Sequence, residues 1–150
     1  MKKYLWIAAA ALALDQLTKA LALRLTAPVT LVPGLIGLRL AANTGMAFSL
    51  LSGLPWLLVP LSCAVLALCW LVLRRCRLGP LSLTGAMLVL GGAVSNLLDR
   101  LLRGEVVDMI EVLAFRFAIF NVADMAVCVG CALLALSLLV RPEEWESRHG

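Results

Sequence analysis

Histidine is almost missing from this chain: among 150 residues there is one, His149, in the tail. That removes the usual base for a serine or cysteine nucleophile. Lys19 is another conceivable base, but its nearest polar neighbour is Asp15. No His, Asp and Glu set has the spacing that metals use, so neither a metal nor another cofactor is expected. Charge is scarce too. Charged residues make up 15% of the sequence and hydrophobic ones 63%, with a mean hydropathy of +1.01. A soluble domain carries about 25% charged and about 45–50% apolar residues, so the surplus apolar surface here belongs in lipid. Cysteine offers no framework either. Cys63, Cys69, Cys128 and Cys131 lie in apolar runs and Cys76 in a basic loop. Cys128-Val-Gly-Cys131 has the C-x-x-C form without a partner pair, and these side chains read as small apolar residues.

The net charge of +4 is not gathered on one face, as nucleic-acid binding requires. It sits in short clusters between apolar runs: Lys2-Lys3, Arg74-Arg75-Arg77, then Arg141 and Arg148. That pattern holds loops in the cytoplasm, and no nucleic-acid partner is expected. A single domain over 1–150 is expected, with four runs that reach the ~20 residues a membrane helix needs. They cover roughly 4–25, 55–73, 81–102 and 121–140. The first resembles a cleavable signal peptide at its start, yet continues past Asp15 and Lys19 for a full membrane length and reads as a retained helix. With the positive loops inside, both termini are cytoplasmic, and segments 26–54 and 103–120 face outward. Short alternations at Ile36–Leu40 and Val112–Phe117 predict strands there. The expected fold class is an all-α membrane protein, a four-helix bundle with a small extracytoplasmic extended element.

Ionisable groups in membrane helices cost about 2.5–3.5 kcal/mol each on insertion scales and mark candidate functional sites. The second span has none. The first carries Asp15, Gln16 and Lys19; the third Asn96, Asp99 and Arg100; the fourth starts with Asn121 and Asp124. In this topology they converge toward the outer side. Each also has a structural reading. Asp15 and Lys19, four apart, can pair on one helix face. Asn121 and Asp124 have capping-box spacing. Asn96 lies one turn before Asp99 and Arg100, as an interhelical hydrogen-bond network would require. Asp108, among apolar neighbours in Glu105-Val-Val-Asp108-Met-Ile110, either faces solvent or points back at the bundle.

Two carboxylates brought close at a membrane edge cannot both ionise cheaply, so the pair tends to share a proton. The ionised member can deprotonate water while the protonated one polarises a peptide carbonyl. If the chain is an enzyme, its residues suit aspartate acid–base hydrolysis.

Five motifs occur in order: Asp15-Gln-Leu-Thr-Lys19, Asn43-Thr-Gly-Met-Ala-Phe-Ser49, Gly91-Gly-Ala-Val-Ser-Asn-Leu-Leu-Asp-Arg100, Val106-Val-Asp108 and Phe120-Asn-Val-Ala-Asp124. Together, over nearly the whole chain, they resemble lipoprotein signal peptidase, the signal peptidase II family of bacterial inner-membrane aspartyl peptidases. The resemblance implies four helices under a small outer β-cradle, with an active site near the outer leaflet. It also implies removal of the signal peptide from diacylglyceryl-modified prolipoproteins, by cleavage just before the lipidated cysteine. Asp108 and Asp124 would be the catalytic pair. Asn96, Arg100 and Asn121 would line the site and Asn43 would reach in from the first outer loop. Asp15, Lys19 and Asp99 would support it, and Gly45 would permit a tight turn beside Asn43. The implied partners are the prolipoprotein substrate and membrane lipids, and a monomer is expected. The chain departs from the family pattern at Met46, Ser95 and Met109. Two other readings make different demands. A proton relay through Asp15, Asp99 and Asp124 in a transporter needs acids through the depth of the bundle, and the cytoplasmic half lacks them. An assembly factor with a gripping outer patch would tolerate Asp124→Glu.

Overall fold

The computed structural model describes residues 2–45, 55–115 and 117–146. Met46 to Ser49 of the second motif, and His149, lie outside them. A 3-10 turn at Lys2–Tyr4 leads into α1 (Leu5–Ala22), followed by α2 (Pro55–Arg75), α3 (Pro80–Arg103) and α4 (Val122–Val140). Each of the four is long and apolar enough to cross a bilayer. A three-stranded antiparallel sheet of β1 (Val29–Val32), β2 (Ile36–Asn43) and β3 (Val106–Val112) joins them, in the order β1-β2-β3. The protein is therefore a four-helix membrane bundle bearing a small sheet, the expected class.

Helix α3 is the centre of the bundle and packs against all three other helices. Between apolar helices in lipid there is little hydrophobic drive to associate, so close approach through small residues matters most. A Cβ added at Gly92 would stand 2.5 Å from the Ala123 carbonyl oxygen, and one at Gly85 2.8 Å from that of Gly130. The pairing of Gly92 with Ala123 and of Gly85 with Gly130 runs α3 and α4 antiparallel at near backbone contact. That contact brings the start of α4 against the last turns of α3. Outward-facing side chains such as Trp6, Leu17, Leu68 and Leu139 are exposed, as a lipid-facing surface requires.

Two chain reversals aim the polar residues. Gly104, with φ 78°, closes α3 in the left-handed conformation, its N–H donating to the Arg100 carbonyl. The chain then turns straight into β3, so Asp108 comes back beside the helix it has just left. At the other side Asn121 starts α4 with a complete capping box, as its spacing from Asp124 predicts.

The second strand expected in this region lies elsewhere. In place of Val112–Phe117, β3 occupies Val106–Val112, and a turn follows at residues 113–115. Val106, Val107, Asp108 and Met109 are buried in succession. A strand covered on both faces shows no alternation, whereas the alternating segment after it is exposed at Leu113 and Phe115. Strand β1 precedes a hairpin turn at Pro33-Gly34, where Gly34 has φ 71°. The tail also has a structure its sequence does not announce. A 3-10 turn at Pro142–Trp145 folds back so that the buried Glu144 carboxylate accepts from the Gly79 N–H, 3.0 Å, and from the Ser82 hydroxyl. Trp145 Nε1 donates to Ser137 Oγ, 3.1 Å, which ties the end of α4 to the start of α3.

Candidate active site

The polar face of α1 meets α3 at Lys19, whose side chain has no solvent exposure. Its ammonium group has three protons and finds three acceptors. They are Asp15 Oδ2 at 2.6 Å, Asp99 Oδ2 at 2.8 Å and Asn96 Oδ1 at 2.8 Å. The i,i+4 pair read from the sequence thus exists, and Asp99 from α3 completes it as a triad. Burying three charges is tolerable because every oxygen has donors. Asp15 Oδ2 also accepts from Ser95 Oγ, 2.7 Å, and its Oδ1 from the Ala123 N–H, 2.7 Å. Asp99 Oδ1 accepts from Gln16 Nε2, 3.1 Å, and from Arg103 Nη1, while its Oδ2 accepts from the Val107 N–H, 3.3 Å.

A second cluster adjoins the triad through Asn96. Its Oδ1 faces Lys19, so its Nδ2 is turned to Asp124 Oδ1, 2.8 Å away. Asn121 touches both candidate catalytic acids. Its Nδ2 donates to Asp108 Oδ1 at 2.7 Å, and its backbone N–H to Asp124 Oδ2 at 3.3 Å. Asp108, only 2% exposed, accepts on its other oxygen from Asn43 Nδ2, 2.8 Å. Asp108 therefore points back into the bundle, the second of the two options its sequence neighbours left open. Gly45 contributes through its backbone. Its N–H donates to Asn43 Oδ1, 2.9 Å, and its carbonyl accepts from Arg100 Nη2, 3.3 Å. Arg100 Nη1 donates to the Asn96 carbonyl, 3.3 Å. The buried Nε of Arg100 has no hydrogen-bond partner among the described residues.

All ten residues singled out from the sequence thus fall into two adjoining clusters. Burial pushes the Asp108 carboxyl up to about 6, with the Asn43 donor opposing it, the Asp124 charge adding to it and the Asn121 donor opposing it again. A carboxyl held near neutrality can give and take a proton at working pH. Among the described residues no group of three or more His, Cys, Asp or Glu is arranged to hold a metal ion.

Sequence reasoning gave no role to Gln16, Ser95 or Arg103. Gln16 links Ser95 to Asp99, donating to Ser95 Oγ, 2.9 Å, and to Asp99 Oδ1. The signal for Arg103 was available, since it stands four residues after Asp99 on the same helix. Ser95 could be found only by noticing a hydroxyl in the small-residue run before Asn96.

Residues 7–140 match the family model described as signal peptidase (SPase) II. A lipoprotein signal peptidase of Pseudomonas aeruginosa (strain UCBPP-PA14) is 38% identical, over 98% of this chain and 94% of that protein. One from Halalkalibacterium halodurans is 34% identical over 91% of each, and one from Geobacillus kaustophilus 39% identical over 87% of this chain and 89% of its own. Among solved structures, a bacterial membrane enzyme superposes with a TM-score of 0.88 at 25% identity, covering 95% of this chain and 90% of that one. A second such enzyme gives a TM-score of 0.80 at 25% identity, covering 94% and 95%. The chain belongs to the signal peptidase II family. It is a protease and a bacterial integral membrane protein.

Proposed function

We propose that this protein is an aspartyl endopeptidase of the bacterial inner membrane that removes the signal peptide from diacylglyceryl-modified prolipoproteins, with Asp108 and Asp124 as its catalytic pair. The observation that carries the reading is Asn121, which donates from its side chain to Asp108 and from its backbone to Asp124. One residue holds two carboxyls from different elements, Asp108 buried and Asp124 half-buried, and the Asp124 charge raises the Asp108 carboxyl. Such a pair holds one proton between its members. The ionised member takes a proton from a water as its oxygen attacks the scissile carbonyl carbon. The protonated member hydrogen-bonds the carbonyl oxygen as it gains charge. Collapse of the tetrahedral intermediate breaks the C–N bond, and the proton taken from water passes to the leaving amine. The free Nε–H of Arg100 offers a further donor to the substrate backbone, in a water-poor site where such donors count most.

The family and the site's level in the bundle support the substrate class. Asn96, Arg100 and Asp124 lie at one end of α3 and α4, opposite the end that carries Arg74, Arg75 and Arg141. With the basic end cytoplasmic, both termini are inside and the pair lies near the outer leaflet. A diacylglyceryl group gains about 0.8 kcal/mol for each buried methylene, which delivers the bond beside the lipidated cysteine to that level. The enzyme acts as a monomer on substrate drawn from the lipid phase.

Cleavage of a diacylglyceryl-modified prolipoprotein in detergent, followed by gel shift, tests this reading. The parent should cut before the modified cysteine, and folded Asp108→Asn and Asp124→Asn variants should not. Activity surviving in either variant refutes the pair. A folded parent that leaves both lipidated and unlipidated substrate intact refutes the activity.

A further inference from the structure

We infer that Asp15, Lys19 and Asp99 form a clamp that sets the separation of Asp108 and Asp124, an inference that rests on those two being the catalytic pair. The two carboxylates of the triad each grip one backbone N–H from outside their own helix. Asp15 Oδ1 holds that of Ala123 at 2.7 Å, and Asp99 Oδ2 that of Val107 at 3.3 Å. Ala123 immediately precedes Asp124, and Val107 immediately precedes Asp108. Consecutive Cα atoms are about 3.8 Å apart across a rigid peptide, so fixing those two N–H groups fixes the origin of both catalytic side chains. Lys19 bridges the arms, 2.6 Å from Asp15 and 2.8 Å from Asp99. Its third proton orients Asn96, which in turn donates to Asp124. Strand β3 and helix α4 are thereby both referred to one ammonium group on α1.

The surroundings keep the clamp closed without competing for it. Gln16 and Arg103 occupy Asp99 Oδ1, and Ser95 occupies Asp15 Oδ2 beside Lys19. Arg103 balances the second carboxylate, so the cluster of Asp15, Lys19, Asp99 and Arg103 carries no net charge. A cluster that only glued helices together would not need its two acceptors on the residues preceding the two acids.

The test is steady-state and pH–rate kinetics of Asp15→Asn, Asp99→Asn and their double variant on the same lipidated substrate. The charged groups around the pair are Lys19 and Asp15 from α1 and Asp99, Arg100 and Arg103 from α3, while Glu111 of β3 is paired with Arg39 of β2. In Asp15→Asn an oxygen stays for the Ala123 N–H and an amide turns to Lys19. In Asp99→Asn the oxygen shared by Val107 and Lys19 stays, and the link weakens through the lost charge and the amide turned to Gln16 and Arg103. A displacement near 1 Å costs about 100-fold, so kcat should fall about 10- to 100-fold while KM, set by lipid partitioning, stays within about 3-fold. The two pKa values bounding the pH profile should draw together, because coupling weakens as the acids separate. The double variant should be no worse than the weaker single one, since both arms act through Lys19. Parental kcat in folded single variants overturns the clamp, as does a profile that slides along the pH axis without narrowing. Should the asparagine variants not fold, Ser95→Ala removes one bond to Asp15 and no charge. A smaller kcat loss with a narrowed profile is expected there, and parental behaviour overturns the proposal. Asp108→Asn and Asp124→Asn assayed alongside separate the two claims. If either cuts, the catalytic pair itself is wrong; if both are dead and the clamp variants are parental, only the clamp is.

Discussion

Replacing Asp108 by asparagine should abolish cleavage and at the same time make the protein more stable at neutral pH. Asp108 is buried, and its carboxyl is raised from 3.8 to about 6 in the folded protein. Between those two values the folded state binds a proton that the unfolded chain has released, so stability falls as pH rises through this window and stays low above it. Two pH units at about 1.36 kcal/mol each come to roughly 3 kcal/mol of destabilisation carried by the ionised carboxylate at pH 7. An asparagine has no such ionisation. It does lose something, because Asn43 and Asn121 both donate to Asp108 and an amide presents an acceptor to only one of them. A donor left facing a donor costs about 1–2 kcal/mol. The net gain for Asp108→Asn at pH 7 is then about 1–2 kcal/mol, or roughly 2–8 °C in melting temperature for a chain of this size.

At pH 4 the parent carboxyl is protonated in the folded state, the gain vanishes, and the variant should melt slightly below the parent. Thermal unfolding in detergent micelles, followed by intrinsic tryptophan fluorescence from pH 4 to pH 7.5, measures this. Other acids titrate in both proteins, so the difference between the two curves isolates position 108. A difference that does not change with pH, or a variant less stable than the parent at pH 7, refutes the reasoning.

Gly92→Ala would set a methyl 2.5 Å from the Ala123 carbonyl oxygen, and must push α4 off α3. Overpacking of this kind costs about 1–3 kcal/mol, and because Ala123 adjoins Asp124 the specific activity of the folded fraction should fall as well. Melting curves and kcat measured on the same preparation check both halves. Glu144→Gln weakens the closure between the tail and the start of α3, where the carboxylate accepts from Gly79 and Ser82. A glutamine oxygen can still accept from both donors but without the charge, so stability should fall by about 0.5–1.5 kcal/mol. The kcat per folded molecule should be unchanged, since the contact lies at the opposite end of α3 from Asp99 and Arg100.

Much of the site was legible in the sequence because polar groups in apolar helices have few places to go. Asp15 and Lys19 are four residues apart and had to face one way; Asn121 and Asp124 had cap spacing and cap α4. What spacing within one helix cannot reveal is the partner on another. Nothing local indicates that Asp99 joins the Lys19 pair, because its only recognisable helical partner is Arg103. Asp108 was ambiguous for the same reason, its strand being buried on both faces and therefore without alternation. Ser95 reads in the sequence only as a departure from the family pattern, whereas in the bundle it supplies a hydroxyl to Asp15.

The distribution of hydrogen-bond donors explains how four acids, three of them buried, can be kept distinct in so small a space. Asp15 and Asp99 receive cationic donors, from Lys19 to both and from Arg103 to Asp99. Asp108 and Asp124 receive neutral amides, from Asn43, Asn96 and Asn121. A cation beside a carboxylate holds it ionised, whereas an amide supports it without fixing its charge. Lys19 thus gives two of the acids a counter-charge, and the asparagines surround the two that the proposed chemistry uses. Exchanging an asparagine for a lysine or arginine at position 43 would extend the cationic set to Asp108. By this logic it would hold that acid ionised and remove the shared proton on which the proposed chemistry depends.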